Sequence, residues 1–108
     1  MTTMGSFAYA QLEIDPVKGV RFRCTEPQTV QLVMDLAKTL VPACKIVTEW
    51  KRFSGDLLEC RLEKLQSTYA VGWEILGYLG QLGWEAFAAD RVSAEQYDQC
   101  YHLKLTKD

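Results

Sequence analysis

No CxxC pair occurs among Cys24, Cys44, Cys60 and Cys100. Thiols this widely spaced make neither a local zinc knuckle nor a thioredoxin-type redox motif. The N-terminus MTTMGSFAYA has no basic stretch followed by a long apolar one, so no secretory signal is expected, and the four cysteines are expected as free, mostly buried thiols in a cytoplasmic protein. A single histidine, His102, leaves one imidazole for any acid–base or metal role. No charge-free run approaches the ~20 residues of a membrane span. Basic clusters are also missing: Lys51-Arg52 is only a dipeptide, and twelve basic against fourteen acidic residues give a net charge of −2. Without a phosphate track, a nucleic-acid partner is not expected. No glycine-rich loop follows a strand in phosphate-binding form, and neither a metal nor a cofactor is expected.

What the sequence does hold is concentrated in residues 69–90, YAVGWEILGYLGQLGWEAFAAD, with four of the seven glycines and two of the three tryptophans. At 100° per residue, Val71, Ile75, Tyr78 and Leu82 share one helix face, with Leu79 beside them. Tyr69, Trp73, Leu76 and Gly80 fill the adjoining sector, leaving Ala70, Glu74, Gly77 and Gln81 for water. An apolar arc of roughly 200° is about twice what packing on one sheet requires. A second helix or a second subunit is expected to cover the excess, which makes Tyr69, Trp73, Leu76 and Gly80 the candidate interface. Gly77 and Gly80 are expected to permit close approach of a neighbour or a C-terminal turn.

Before this stretch, residues 1–5 read as a leader. Residues 7–14 alternate, Phe7 and Tyr9 against Ala8, Ala10, Leu12 and Ile14. Asp15-Pro16-Val17-Lys18-Gly19 is a turn, and residues 20–24 complete a hairpin whose outer face, Arg21 and Arg23, is expected to be solvated. Thr25-Glu26-Pro27-Gln28 reads as a capping box with proline in the first turn. Val30, Val33, Met34, Ala37, Leu40 and Val41 form the stripe of a helix that Pro42 stops. Residues 45–53 form a strand, with Ser54-Gly55-Asp56 as a tight connection. Residues 57–65 fit either a strand, with Leu58, Cys60 and Leu62 inward and Glu59, Arg61 and Glu63 outward, or a helix capped by Asp56; the strand is favoured, with Ser67-Thr68 capping the next helix. Residues 84–89 alternate, Trp84, Ala86 and Ala88 against Glu85, Phe87 and Ala89. Ser93 can cap a turn, and residues 99–106 make a last strand with Tyr101, Leu103 and Leu105 inward.

The predicted architecture is α+β, one domain over residues 1–108: a mostly antiparallel sheet of about six strands with two helices on one face, in the order β-β-α-β-β-α-β-β. Residues 57–107, through LLECRLEKL, ILGYLGQLGWEAF and YHLKLTK, resemble a short bacterial family of unknown function. Its members run strand, helix, strand, strand, with an LGxxGWE helix exit that falls here on Leu79-Gly80 and Gly83-Trp84-Glu85. The resemblance implies a fold and no activity, and it leaves the N-terminal half unexplained. Gly83 is expected to release the chain in a left-handed conformation, Trp84 to cover the helix end and Glu85 to point to the opposite sheet face.

Chemistry has few candidates. Glu74 and Glu85 beside Trp73 and Trp84 read as exposed carboxylates next to core tryptophans. Cys100 and His102 share a strand face as a conceivable thiol–imidazole pair, with no local residue to orient the ring. Two functions follow. The first is a non-catalytic protein–protein interaction protein, self-associating as a homodimer or binding another protein as an adaptor or inhibitor. The second is a small-ligand binder or minor enzyme with an aromatic-lined pocket of Trp50, Tyr78, Trp84, Tyr101 and His102.

Overall fold

A computed structural model describes residues 6–52, 56–90 and 98–107. The elements are β1 (Ser6–Asp15), β2 (Gly19–Cys24), α1 (Pro27–Leu40), β3 (Lys45–Arg52), β4 (Asp56–Glu63), α2 (Thr68–Gln81), β5 (Glu85–Asp90) and β6 (Gln99–Lys107). They form an α+β fold with a six-stranded sheet ordered β3-β4-β2-β1-β6-β5, every neighbouring pair antiparallel. Residues 57–63 are therefore strand, as favoured. The leader, Phe53, the Ser54-Gly55 connection and Ser93 lie outside the described residues.

Strand direction explains why both helices share one face. α1 carries the chain from β2 to the parallel β3 across β4, and α2 carries it from β4 to the parallel β5 across the rest of the sheet. β4 runs opposite to β2 and its crossover moves toward the opposite edge. Two crossovers of the same hand then place both helices on the same side. There Leu12, Ile14, Val20, Phe22, Leu62 and Leu103 of the sheet are sealed by Val30, Val33 and Ala37 of α1 and Val71, Ile75 and Leu79 of α2. Each such large side chain contributes about 1.5–3 kcal/mol on leaving water.

α1 begins differently from expectation. Thr25 is not its cap: Thr25 N donates to Tyr9 O at 3.1 Å and its hydroxyl receives Tyr9 N at 3.2 Å, prolonging the β1–β2 ladder. Glu26 takes the cap position, and Thr29 Oγ1 donates to its carboxylate at 3.3 Å. Pro27 stands in the first turn as predicted. The helix closes at Leu40, before Pro42.

α2 ends in the left-handed glycine exit expected at Gly83. Gly83 has φ +99°, Gly83 N donates to Gly80 O at 3.0 Å, and Trp84 N donates to Leu79 O at 2.9 Å, the paired bonds of a Schellman motif. Trp84 is buried over this end. The glycine that permits close approach is Gly72, not Gly77 or Gly80. A Cβ on Gly72 would lie 2.4 Å from Ile14 Cδ1, whereas nothing stands within 4 Å of one on Gly77 or Gly80. The wide apolar arc is partly covered within the chain: α1 packs beside α2, and Tyr69 and Leu76 are half-buried against the core. Ala70, Glu74, Gly77 and Gln81 face water as predicted, and Trp73 remains 53% exposed.

Alternation fails in β5. Ala86 pairs with Leu103, yet Ala88 pairs with His102, so a bulge at Phe87 shifts the register by one residue. The strand then no longer alternates as six regular positions, and Ala88 stands beside His102 and Ala89 beside Tyr101.

Candidate functional site

The helix-free face of the sheet carries an ordered polar lattice. Counting outward from the β1–β2 turn, Glu13 lies opposite Arg21 and Gln11 opposite Arg23. β4 adds Arg61 beside Arg21 and Glu59 beside Arg23, while β6 adds Cys100 beside Glu13 and His102 beside Gln11. Arg21 Nε donates to Glu13 Oε1 at 2.8 Å, and Arg23 Nε donates to Glu59 Oε1 at 2.8 Å. Glu13 and Glu59 are only 2% exposed and Arg21 5%. The expectation of a solvated face at Arg21 and Arg23 is thus corrected; Glu59 faces away from the helices as expected but is sealed there. These strands are central in a six-stranded sheet, and the long arginine stems cover the carboxylates of their neighbours.

The lattice continues as a chain toward β6. Arg23 Nη1 donates to Gln11 Oε1 at 3.4 Å, Gln11 Nε2 lies 3.2 Å from His102 Nδ1, and His102 Nε2 lies 3.8 Å from Cys100 Sγ. With the Gln11 amide donating to Nδ1, the ring proton sits on Nε2 and points at sulfur. In that assignment the imidazole is not the base that would ionise Cys100, and the thiol itself is buried. Above this chain opens a hollow of about 330 Å³ lined by Tyr9, Gln11, Arg23, Phe87 and His102. Its rim is aromatic. Tyr9 and Phe87 meet edge to face at 6.5 Å, Phe7 lies 6.2 Å from Tyr9, and Lys104 Nζ stands 5.4 and 5.8 Å from the Phe7 and Phe87 ring centres. Phe7, Tyr9 and Phe87 are 44%, 50% and 52% exposed.

No family model, curated protein or solved structure matches the chain. Its own geometry is what bears on function. Among the described residues, no three His, Cys, Asp or Glu side chains converge in a metal-holding group. No helix among them is long and apolar enough to cross a membrane.

The residues expected to form an aromatic pocket are not gathered in one place. Trp50 is on β3, at the opposite edge of the sheet from β5. Tyr78 is on α2, Trp84 is buried at the α2 exit, and Tyr101 lies on the helix-covered face beside the core. Only His102 reaches the hollow, on the other face of β6. The four α2 residues form a surface stripe. Tyr69 and Trp73 pack with ring centres 5.6 Å apart and planes tilted by 32°; the Tyr69 hydroxyl donates to Asp98, which raises its pKa, and Trp73 Nε1 donates to Gln99 Oε1 at 3.4 Å. Leu76 is half-buried and Gly80 exposed. Gln11, Glu13, Glu59 and Phe87 were not singled out by pattern. The hairpin register alone would have paired Glu13 with Arg21 and Gln11 with Arg23, whereas Phe87 reaches the rim through a bulge that alternation does not signal.

Proposed function

We propose that the protein is a non-catalytic interaction protein that pairs with a second copy of itself through the helix-free face of its sheet, in a cytoplasmic setting. The carrying observation is the cluster of Phe7, Tyr9 and Phe87, three large aromatic side chains each about half exposed beside an edge strand. Apolar surface gathered this way on a polar sheet face is what a docking contact removes from water. Lys104 and Glu85, opposite each other in register at the margin of the cluster, give a two-fold contact a complementary charge from each copy. The α2 stripe is the second surface in this reading. Its two aromatics already hydrogen-bond within the chain, so less of it is free to dock.

Light scattering over the micromolar range tests this. A dimer is expected for the wild type and for Trp73→Asp, with Phe87→Asp monomeric. A dimer lost in Trp73→Asp and kept in Phe87→Asp moves the contact to α2, and a monomeric wild type removes the proposal.

The hollow under the same rim supports a second reading, a small-ligand site. Its polar floor, Gln11, Arg23 and His102, beneath aromatic walls has the composition such sites use. A saturable ligand-dependent shift in the His102 ring signals of a wild-type chain that light scattering shows to be monomeric would favour it over self-association.

A further inference from the structure

A second hollow, of about 460 Å³, lies between the β1–β2 turn and the loop joining β4 to α2. Three basic side chains, Lys18, Arg61 and Lys64, line it with a single carboxylate, Glu63. Glu63 already stands 3.7 Å from Lys45 Nζ. In a chain of net charge −2, this is a local reversal of sign.

Arg61 carries the argument. Its neighbours across the ladder are Arg21 and Val47, neither of them an acid. The nearest carboxylate oxygen in an ion pair with it belongs to Glu59, 3.8 Å away, whose other oxygen holds Arg23 at 2.8 Å. The buried carboxylates of this face, Glu13 and Glu59, lie among Arg21, Arg23 and Arg61, with the exposed Glu49 opposite Glu59 on β3. Arg61 Nε is buried and makes no hydrogen bond, although the side chain as a whole is 40% exposed and reaches the hollow. Thr68 also lines the hollow; it is the first residue of α2, a helix with no acidic residue in its first turn and no side-chain cap. The partial positive charge of that end adds to the three cations.

We propose that this hollow binds a phosphorylated small molecule, with the phosphoryl oxygens taken by Arg61 and Lys64 and the organic part lying against Pro16, Val17 and Leu65. A planar guanidinium matches two phosphoryl oxygens at once, and clustered cations suit a dianion better than a single carboxylate. The site is on the far side of the sheet centre from the aromatic rim, so it stands or falls independently of self-association.

The test is an amide NMR titration of the full chain with phenyl phosphate, with benzoate and sodium chloride as parallel arms at matched ionic strength. Saturable shifts confined to residues 17–19 and 61–68 are expected with phenyl phosphate alone. Affinity should fall at least about tenfold in Arg61→Gln and in Lys64→Gly, and stay unchanged in Lys38→Gln, which removes a cation on α1 away from both hollows. Lys64 has φ +60°, so glycine there keeps the fold while deleting the charge. Shifts no larger than those from chloride, equal binding of benzoate, or equal losses in Lys38→Gln would each overturn the proposal.

Discussion

Arg21 and Glu13 illustrate how one pair of residues resists deletion yet tolerates exchange. Each is nearly sealed from water, and neither charge has solvent to return to if the other is removed. Arg21→Met should cost about 3–5 kcal/mol in urea unfolding, whereas the double exchange Arg21→Met with Glu13→Leu should recover most of that loss. Cys60 gives a pH signature. Burial first, then the neighbouring Glu59 carboxylate, pushes its thiol from an ordinary 9.0 up to about 12. The folded state keeps the proton that the unfolded chain releases, so this contribution is intact below 9.0 and is lost as pH rises from there toward 12. Stability measured across that window should fall less steeply in Cys60→Ala. Asp15 works in the opposite direction. Its carboxylate accepts the backbone N–H of Lys18 at 2.8 Å and of Val17 at 2.9 Å, which lowers its pKa below 3.8. Its stabilising effect is therefore present above 3.8 and fades as pH drops through the lower folded value. That Glu13 and Arg21 face each other was legible in the hairpin spacing; that they are buried was not, because alternation names a face without saying what covers it.

At the scale of elements, α2 separates glycines that look alike in sequence. Gly72 lies on Ile14 of β1, where an added methyl has no room. Gly72→Ala should destabilise by about 1–3 kcal/mol despite its better helix propensity. Gly77→Ala and Gly80→Ala, open to solvent, should each stabilise by about 0.5–1 kcal/mol. Thermal or urea midpoints of the three variants check the ordering. The helix exit was readable because a left-handed Gly83 and a covering Trp84 are local requirements written in adjacent residues. The start of α1 was misread for a non-local reason: Thr25 has a stronger claim from Tyr9 on the next strand than from the helix it precedes. The β5 bulge was hidden likewise, since its cause is register with β6 and not the order of Ala and Phe.

Across the whole molecule, the central pair β2 and β1 is flanked on each side by a helix and a hairpin. β2 is followed by α1, β3 and β4, and the β3–β4 hairpin lies against it; β1 has the β5–β6 hairpin against it and α2 packed over it. The strand that completes the arrangement of α2, β5 and β6 is thus β1, while β4, which precedes α2 in sequence, pairs with β2 and β3. Element order was legible from periodicity, but the pairing of β4 with β2 and of β1 with β6 was not, because pairing is decided by which hairpins can lie side by side under two crossovers of one hand. The consequence is a sheet whose free face is polar at its centre and aromatic near the β5 edge. We propose that this aromatic end is covered by a second copy. Intermolecular NOEs in a mixture of isotope-labelled and unlabelled chains test it most directly. Contacts between the Phe87 and Tyr9 rings of different copies are predicted; contacts from the Trp73 indole instead, or none between copies, would contradict it.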